Sequence, residues 1–131
     1  MKSSEVIEQK LLERIKLCKL SPQQRRSLPF ECYWEDSVFI QEQKLIFANQ
    51  WLGLGRADRL ELSGEYEVFE LCGQTLLLIR DQDKALRLYA NTCRHRGTKL
   101  LDGTGQCQAI SCPFHGWTYA LDGNLKYAKT M

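Results

Sequence analysis

Histidine is scarce in this 131-residue sequence, with two in all, and several features that would place a chain in a broad functional class are missing. No apolar run approaches the roughly 20 residues that cross a bilayer. The densest stretch is LLLI, Leu76 to Ile79. The N-terminus has neither the apolar centre nor the small-residue cleavage site of a secretory leader. We therefore expect a soluble, cytoplasmic chain. Charge of one sign is nearly balanced: 18 Lys and Arg face 16 Asp and Glu, a formal +2. Nucleic-acid binding rests on a clustered basic face, and so small an excess does not suggest one. Internal repeats and low-complexity tracts are absent. At 44% hydrophobic and 26% charged, the composition is that of an ordinary globular domain.

Cysteine is plentiful and even in number: Cys18, Cys32, Cys72, Cys93, Cys107 and Cys112. An even count invites a disulfide framework. A chain with no leader and enough length to bury a core more often uses cysteine for metal or as a small apolar filler. Cys93 and Cys112 have a histidine close by. The other four read as small hydrophobes or free thiols, and Cys107 is expected to ligate nothing.

The N-terminal third has helical spacing. Ser3 and Ser4 precede Ile7, Leu11, Ile15 and Cys18, with Leu12 beside them, and Pro22 ends the segment. Residues Ser21 to Trp34 read as an irregular arm. Asp36-Ser37 then caps a second helix through VFIQEQKLIFANQW, with Val38, Phe39, Leu45 and Ile46 as buried positions. After Trp51 the pattern turns to strands. Gly64 to Gly73 places Tyr66, Val68 and, less cleanly, Glu70 on one face. QTLLLIRDQDKALRLYANT reads as two strands joined by a polar turn at Asp81 to Lys84. CQAISC and a hairpin around Asp122-Gly123-Asn124 follow. The expected fold is mainly β, of small antiparallel sheets: a helical region and arm at residues 1–50, then a β domain at 51–131.

Both histidines lie beside cysteines. Cys93-Arg94-His95 and Cys112-Pro113-Phe114-His115 form C-x-H, sixteen residues, then C-x-x-H. Each half follows an expected strand and precedes a glycine, Gly97 or Gly116. Two loops at one end of a sheet can face each other and bring four soft or borderline ligands to one site. Three readings follow. The four side chains are a coincidence of packing, or a Cys2His2 zinc site, or the ligands of a Rieske-type [2Fe–2S] cluster. Zinc fingers tend to pair Cys with Cys and His with His at close spacing, whereas each loop here offers one of each. Mixed loops suit a dinuclear centre, because each loop then reaches both irons.

CRHRGTKL followed by CPFHGWTYALDG resembles the N-terminal Rieske domain of the ring-hydroxylating oxygenase alpha subunits, the Rieske non-haem iron oxygenases. FIQEQKLIFANQWLGLGRADRL, GEYEVFELCGQTLLLIRD and LRLYANTCRHRG extend the resemblance over most of the chain. It implies that Cys93 and Cys112 bind one iron and His95 and His115 the other, within a Rieske fold. It also implies electron transfer from a ferredoxin or flavin reductase to a mononuclear Fe(II) in a catalytic domain of the same or a neighbouring subunit, and hence membership of an oxidoreductase. Two histidines committed to a cluster leave none for a 2-His-1-carboxylate site, so that iron is expected outside this chain. A self-standing Rieske ferredoxin, a carrier rather than an enzyme, is the alternative. The N-terminal 50 residues argue against it, because such ferredoxins resemble the bare β unit. Arg94 and Arg96 flank His95, either as a docking rim or as solvated arginines. Trp117 reads as a core aromatic or as a shield.

Ligand type also bears on potential. Two ferric ions and two sulfides carry two net positive charges; two thiolates neutralise them, whereas four leave an excess of negative charge. The neutral set is easier to reduce. High-potential respiratory Rieske proteins carry patterns similar to C-T-H-x-x-C and C-P-C-H-G-S, with a disulfide between the loops. Thr98 and Phe114 occupy the matching positions here, and Trp117 replaces the serine. Within a Rieske range of roughly −150 to +300 mV, a midpoint below about 0 mV is expected. A protein-film titration giving a strongly positive midpoint would refute it.

Overall fold

The computed structural model describes residues 9, 11–24 and 26–128, and the chain divides into two compact units between Leu52 and Gly53. In the N-terminal unit, residues 11–16 are helical and run into a 3-10 turn at Leu17–Lys19. Ser3, Ser4 and Ile7, on which the expected start of this helix rests, lie outside the described residues. The arm is less irregular than expected, because Phe30–Tyr33 forms a 3-10 turn. Arg14 reaches this turn and pairs with Glu31 at 2.6 Å. The Cys18 thiol donates to the Ser27 carbonyl at 3.4 Å.

The second helix is shorter than its sequence suggests. It spans Asp36–Leu45, and a 3-10 turn at Phe47–Asn49 follows it. Its N-cap is Glu35, without a side-chain cap, so Asp36 lies in the first turn, where its charge suits the helix dipole. The expected buried stripe does not form. Phe39, Leu45 and Ile46 are exposed, and Val38 is half-buried. Spacing sets which residues share a face, not whether anything packs on it, and Ile46 lies beyond the last turn of the helix.

The second unit is β. Strands β1 (Glu65–Leu71), β2 (Gln74–Arg80), β3 (Leu86–Ala90) and β4 (Thr104–Gln106) form an antiparallel sheet in the order β3-β2-β1-β4. Strands β5 (Ile110–Ser111), β6 (Thr118–Tyr119) and β7 (Leu125–Tyr127) form a second, in the order β5-β6-β7. The β1–β2 hairpin turns on Cys72-Gly73, both at positive φ (51° and 73°), the geometry that matches strand twist in two-residue turns. Strand β4 was not evident in the pattern. Thr-Gly-Gln has no apolar alternation, and pairing with Glu65–Glu67 makes it a strand. No helix among the described residues is long and apolar enough to cross a membrane.

Within LLLI, Leu77 and Ile79 are fully buried and their neighbours face the other side. They meet Ile110, Trp117, Tyr119 and Leu121, and the same cluster contains Cys93 and Cys112. Tyr66 and Val68 pack against it from β1, as their alternation predicts. The core that holds the sheets together thus holds both cysteines.

The β2–β3 turn is built on Asp81, a buried carboxylate at 2% exposure. It accepts the Ala85 N–H at 2.8 Å and the Arg87 guanidinium at 2.7 Å. The Arg87 bond holds the carboxyl below its usual range, against the push of burial. An ionised Asp81 therefore stabilises the fold above the ordinary carboxylate value of about 3.9, and that contribution is lost as pH falls through the depressed value. Urea denaturation across pH is expected to show Asp81→Asn with a lower midpoint than the parent at pH 7. The gap is expected to narrow steadily on acidification below pH ~4; a gap constant with pH refutes this.

Candidate metal centre

The chain leaves β3 at Ala90 and enters the first loop through Asn91, which is 1% exposed. The Asn91 carboxamide closes on Leu101 in both directions: Nδ2 donates to its carbonyl at 2.7 Å, and Oδ1 accepts its N–H at 3.0 Å. Thr92 and Lys99 pair as an isolated bridge. Inside this frame the Cys93 N–H donates to the Thr98 carbonyl at 2.8 Å, and the Gly97 N–H to the Cys93 carbonyl at 2.9 Å. The second loop, between β5 and β6, repeats the pattern. The Cys112 N–H donates to the Trp117 carbonyl at 2.7 Å, and the Gly116 N–H to the Cys112 carbonyl at 3.0 Å. Gly97 and Gly116 share a φ of 72°, which a residue with a Cβ rarely adopts. Each cysteine thus has its glycine four residues on, while the histidine sits two residues after Cys93 and three after Cys112.

The loops bring the four sequence-predicted residues together as two pairs. Cys93 and Cys112 are buried side by side in the core. His95 and His115 are half-buried, with ring centroids 4.8 Å apart at 60°. Trp117 stacks flat on His95, at 4.8 Å and 6°. Phe114, exposed, lies 3.9 Å from His115. Among the described residues no three His, Cys, Asp or Glu side chains gather around one point as for a single ion. All six cysteines are free thiols.

Electrostatics prepare the pairs differently. Burial pushes the Cys93 thiol up. The Tyr119 hydroxyl at 3.3 Å, the backbone N–H groups of His95 and Arg96, and the Cys112 thiol overcome that push, and the net shift is downward. Tyr119 Oη already accepts the Arg94 N–H at 3.0 Å, so its own proton is free for the sulfur. Burial, and then Cys93, keep that hydroxyl protonated. His95 is held neutral by burial first, then by His115 and Arg96. His115 Nδ1 is buried without a hydrogen-bond partner among the described residues. The side chains of Arg94 and Arg96 are exposed and show no ion pair there.

Tyr119 and Asn91 did not stand out in the sequence. Tyr119 had a signal: Trp117, Tyr119 and Leu121 alternate, and all three are buried. Asn91 had none, because its role is a pair of bonds to a residue ten positions away.

Fold and loops together define a small antiparallel β domain that offers two thiols and two imidazoles from matched turns. Residues 50–131 match the Rieske [2Fe–2S] domain family, and the chain belongs to it. The chain is 36% identical over 110 residues to the carnitine monooxygenase oxygenase subunit of Escherichia coli K12, covering 83% of this chain and 29% of that protein. It is 33% identical over 103 residues to the glycine betaine monooxygenase oxygenase subunit of Chromohalobacter salexigens, covering 78% of this chain and 23% of that one. Among solved structures, naphthalene 1,2-dioxygenase from Rhodococcus sp. superposes with a TM-score of 0.82 at 27% identity, over 99% of this chain and 29% of that chain. A quaternary ammonium Rieske monooxygenase gives 0.71 at 36%, over 78% and 29%. The chain spans less than a third of the length of these relatives.

The family's domain binds a [2Fe–2S] cluster, and the donor set here fits one. A thiol eased toward thiolate, a neutral imidazole and a buried, unpartnered ring nitrogen are what iron ligation asks of these side chains. The frame around them is testable without metal. Asn91→Ala leaves the Leu101 N–H and carbonyl without their partner and is expected to cost about 2–4 kcal/mol in urea denaturation. A change within ~0.5 kcal/mol would show that the clamp is dispensable.

Proposed function

We propose that Cys93 and Cys112 hold one iron and His95 and His115 the other, and that residues 51–131 are the electron-transfer domain of an oxygenase terminal subunit. Residues 1–50 form its attached helical region. The observation that carries the reading is the sorting of the four side chains into a thiol pair and an imidazole pair. A single tetrahedral zinc needs four ligands around one point. Two pairs suit two irons bridged by sulfides.

The bound cluster supplies reversible one-electron chemistry. The chain's own residues set its surroundings. Tyr119 and the N–H groups of His95 and Arg96 favour sulfur as thiolate at Cys93. The buried cysteine side excludes water, and the half-buried imidazoles face outward. Electrons are therefore proposed to pass on the histidine side, where Arg94, Arg96 and the exposed Phe114 form a rim suited to an acidic donor such as a ferredoxin or flavin reductase. The acceptor is a mononuclear iron in a catalytic domain, of the same subunit or a neighbour, built from histidines other than the two here.

The oxygenase reading is favoured over a free Rieske ferredoxin by the N-terminal unit. A dioxygenase structure covers 99% of this chain, helical region included. Identity of 33–36% to carnitine and glycine betaine monooxygenase subunits, against 28% to biphenyl dioxygenase subunit alpha, favours a quaternary ammonium compound as substrate of the whole protein. Six free thiols fit a reducing, cytoplasmic setting.

Freshly purified protein is expected to be coloured, with iron and acid-labile sulfide in equal amounts, and to show the low-g electron paramagnetic resonance signal of a Cys2His2 cluster once reduced with dithionite. A colourless, zinc-loaded protein without labile sulfide would overturn the assignment.

A further inference from the structure

We infer that Trp117 is a positioning residue, a stacked plate that fixes His95, excludes water from the histidine side and keeps the centre's potential low. The inference rests on the ligand assignment proposed above. By its backbone Trp117 belongs to the second loop, because its carbonyl accepts the Cys112 N–H at 2.7 Å. By its side chain it covers the first loop, lying on His95 at 4.8 Å and only 6° from parallel. One residue therefore couples the two ligand loops. His115 meets His95 at a steep 60°, so the flat contact is particular to Trp117.

Core filling does not account for this residue. Trp117 is 8% exposed, and its Nε1 is buried with no hydrogen-bond partner among the described residues. A buried indole normally finds an acceptor for that N–H. Phenylalanine would fill an apolar gap without stranding a donor. What tryptophan adds is a wide planar face, and that face lies on His95. The consequence for potential has a definite sign. Reduction adds a negative charge to the site, and water near the imidazoles stabilises that charge. A plate that keeps water out disfavours the reduced form and lowers the midpoint.

The test compares the parent with Trp117→Phe, which keeps an aromatic face, and Trp117→Leu, which keeps apolar bulk without one. Midpoint potential, the resonance signal of the reduced protein and the rate of cluster bleaching under chelator are measured on each. Trp117→Leu is expected to shift the midpoint upward, alter the signal and bleach several-fold faster, while Trp117→Phe stays near the parent. Trp117→Met makes the same comparison if the leucine variant does not accumulate. Equal shifts in the phenylalanine and leucine variants, or parental values in both, overturn the stacking role. A parent protein with no Rieske signal at all overturns the ligand assignment instead, and the two failures are distinct.

Discussion

One backbone hydrogen bond closes each loop, from the cysteine N–H to a carbonyl five residues on, at 2.8 Å in the first and 2.7 Å in the second. The rest of the β unit keeps these two closures facing each other. A thiol and an imidazole on a free loop would have to be ordered when metal arrives, at a cost of about 1–2 kcal/mol for each backbone residue fixed. Here folding has already ordered them. The glycine four residues after each cysteine makes the turn possible, and its position is the same in both loops although the histidine's is not. That single offset gives two similar turns different side-chain reach.

Burial then sorts the four side chains by chemistry. The cysteines belong to the same cluster as Leu77, Ile79 and Ile110, so the sulfurs are held in low dielectric. Left there alone a thiol would stay protonated. Tyr119 and two backbone N–H groups reverse this at Cys93, and the tyrosine is itself held by the Arg94 N–H. The imidazoles sit nearer the surface, where a neutral ring can present one nitrogen inward and one outward. The buried side chains of Asn91 and Asp81 each satisfy backbone groups of a turn or loop.

The N-terminal unit shows the reverse economy. Among its described residues Pro29 is buried, while Phe30, Tyr33, Trp34 and Leu45 are more than half exposed and Trp51 is fully so. An arm of short helical turns offers no second layer against which to bury them. Its order rests on local bonds, such as Arg14 to Glu31 and the backbone bonds of the helix at Asp36–Leu45.

The strands from Glu65 to Ala90 and the hairpin at Asp122–Asn124 were legible because period-two alternation and turn residues are local signals. Strand β4 was not, because its partner lies some forty residues away. The second helix was misread in length and burial, because spacing cannot tell whether anything covers the face it describes. At the site, two cysteines each four residues before a glycine, with a histidine inside each interval, are a property of the sequence by itself, and they pointed to paired loops. Only the tertiary structure decided that the thiols would be buried as one pair and the imidazoles set outside as another, with Tyr119 on the sulfur and Trp117 flat on His95. Those contacts join residues 19 to 26 apart, and they form only when two separate sheets close on one core.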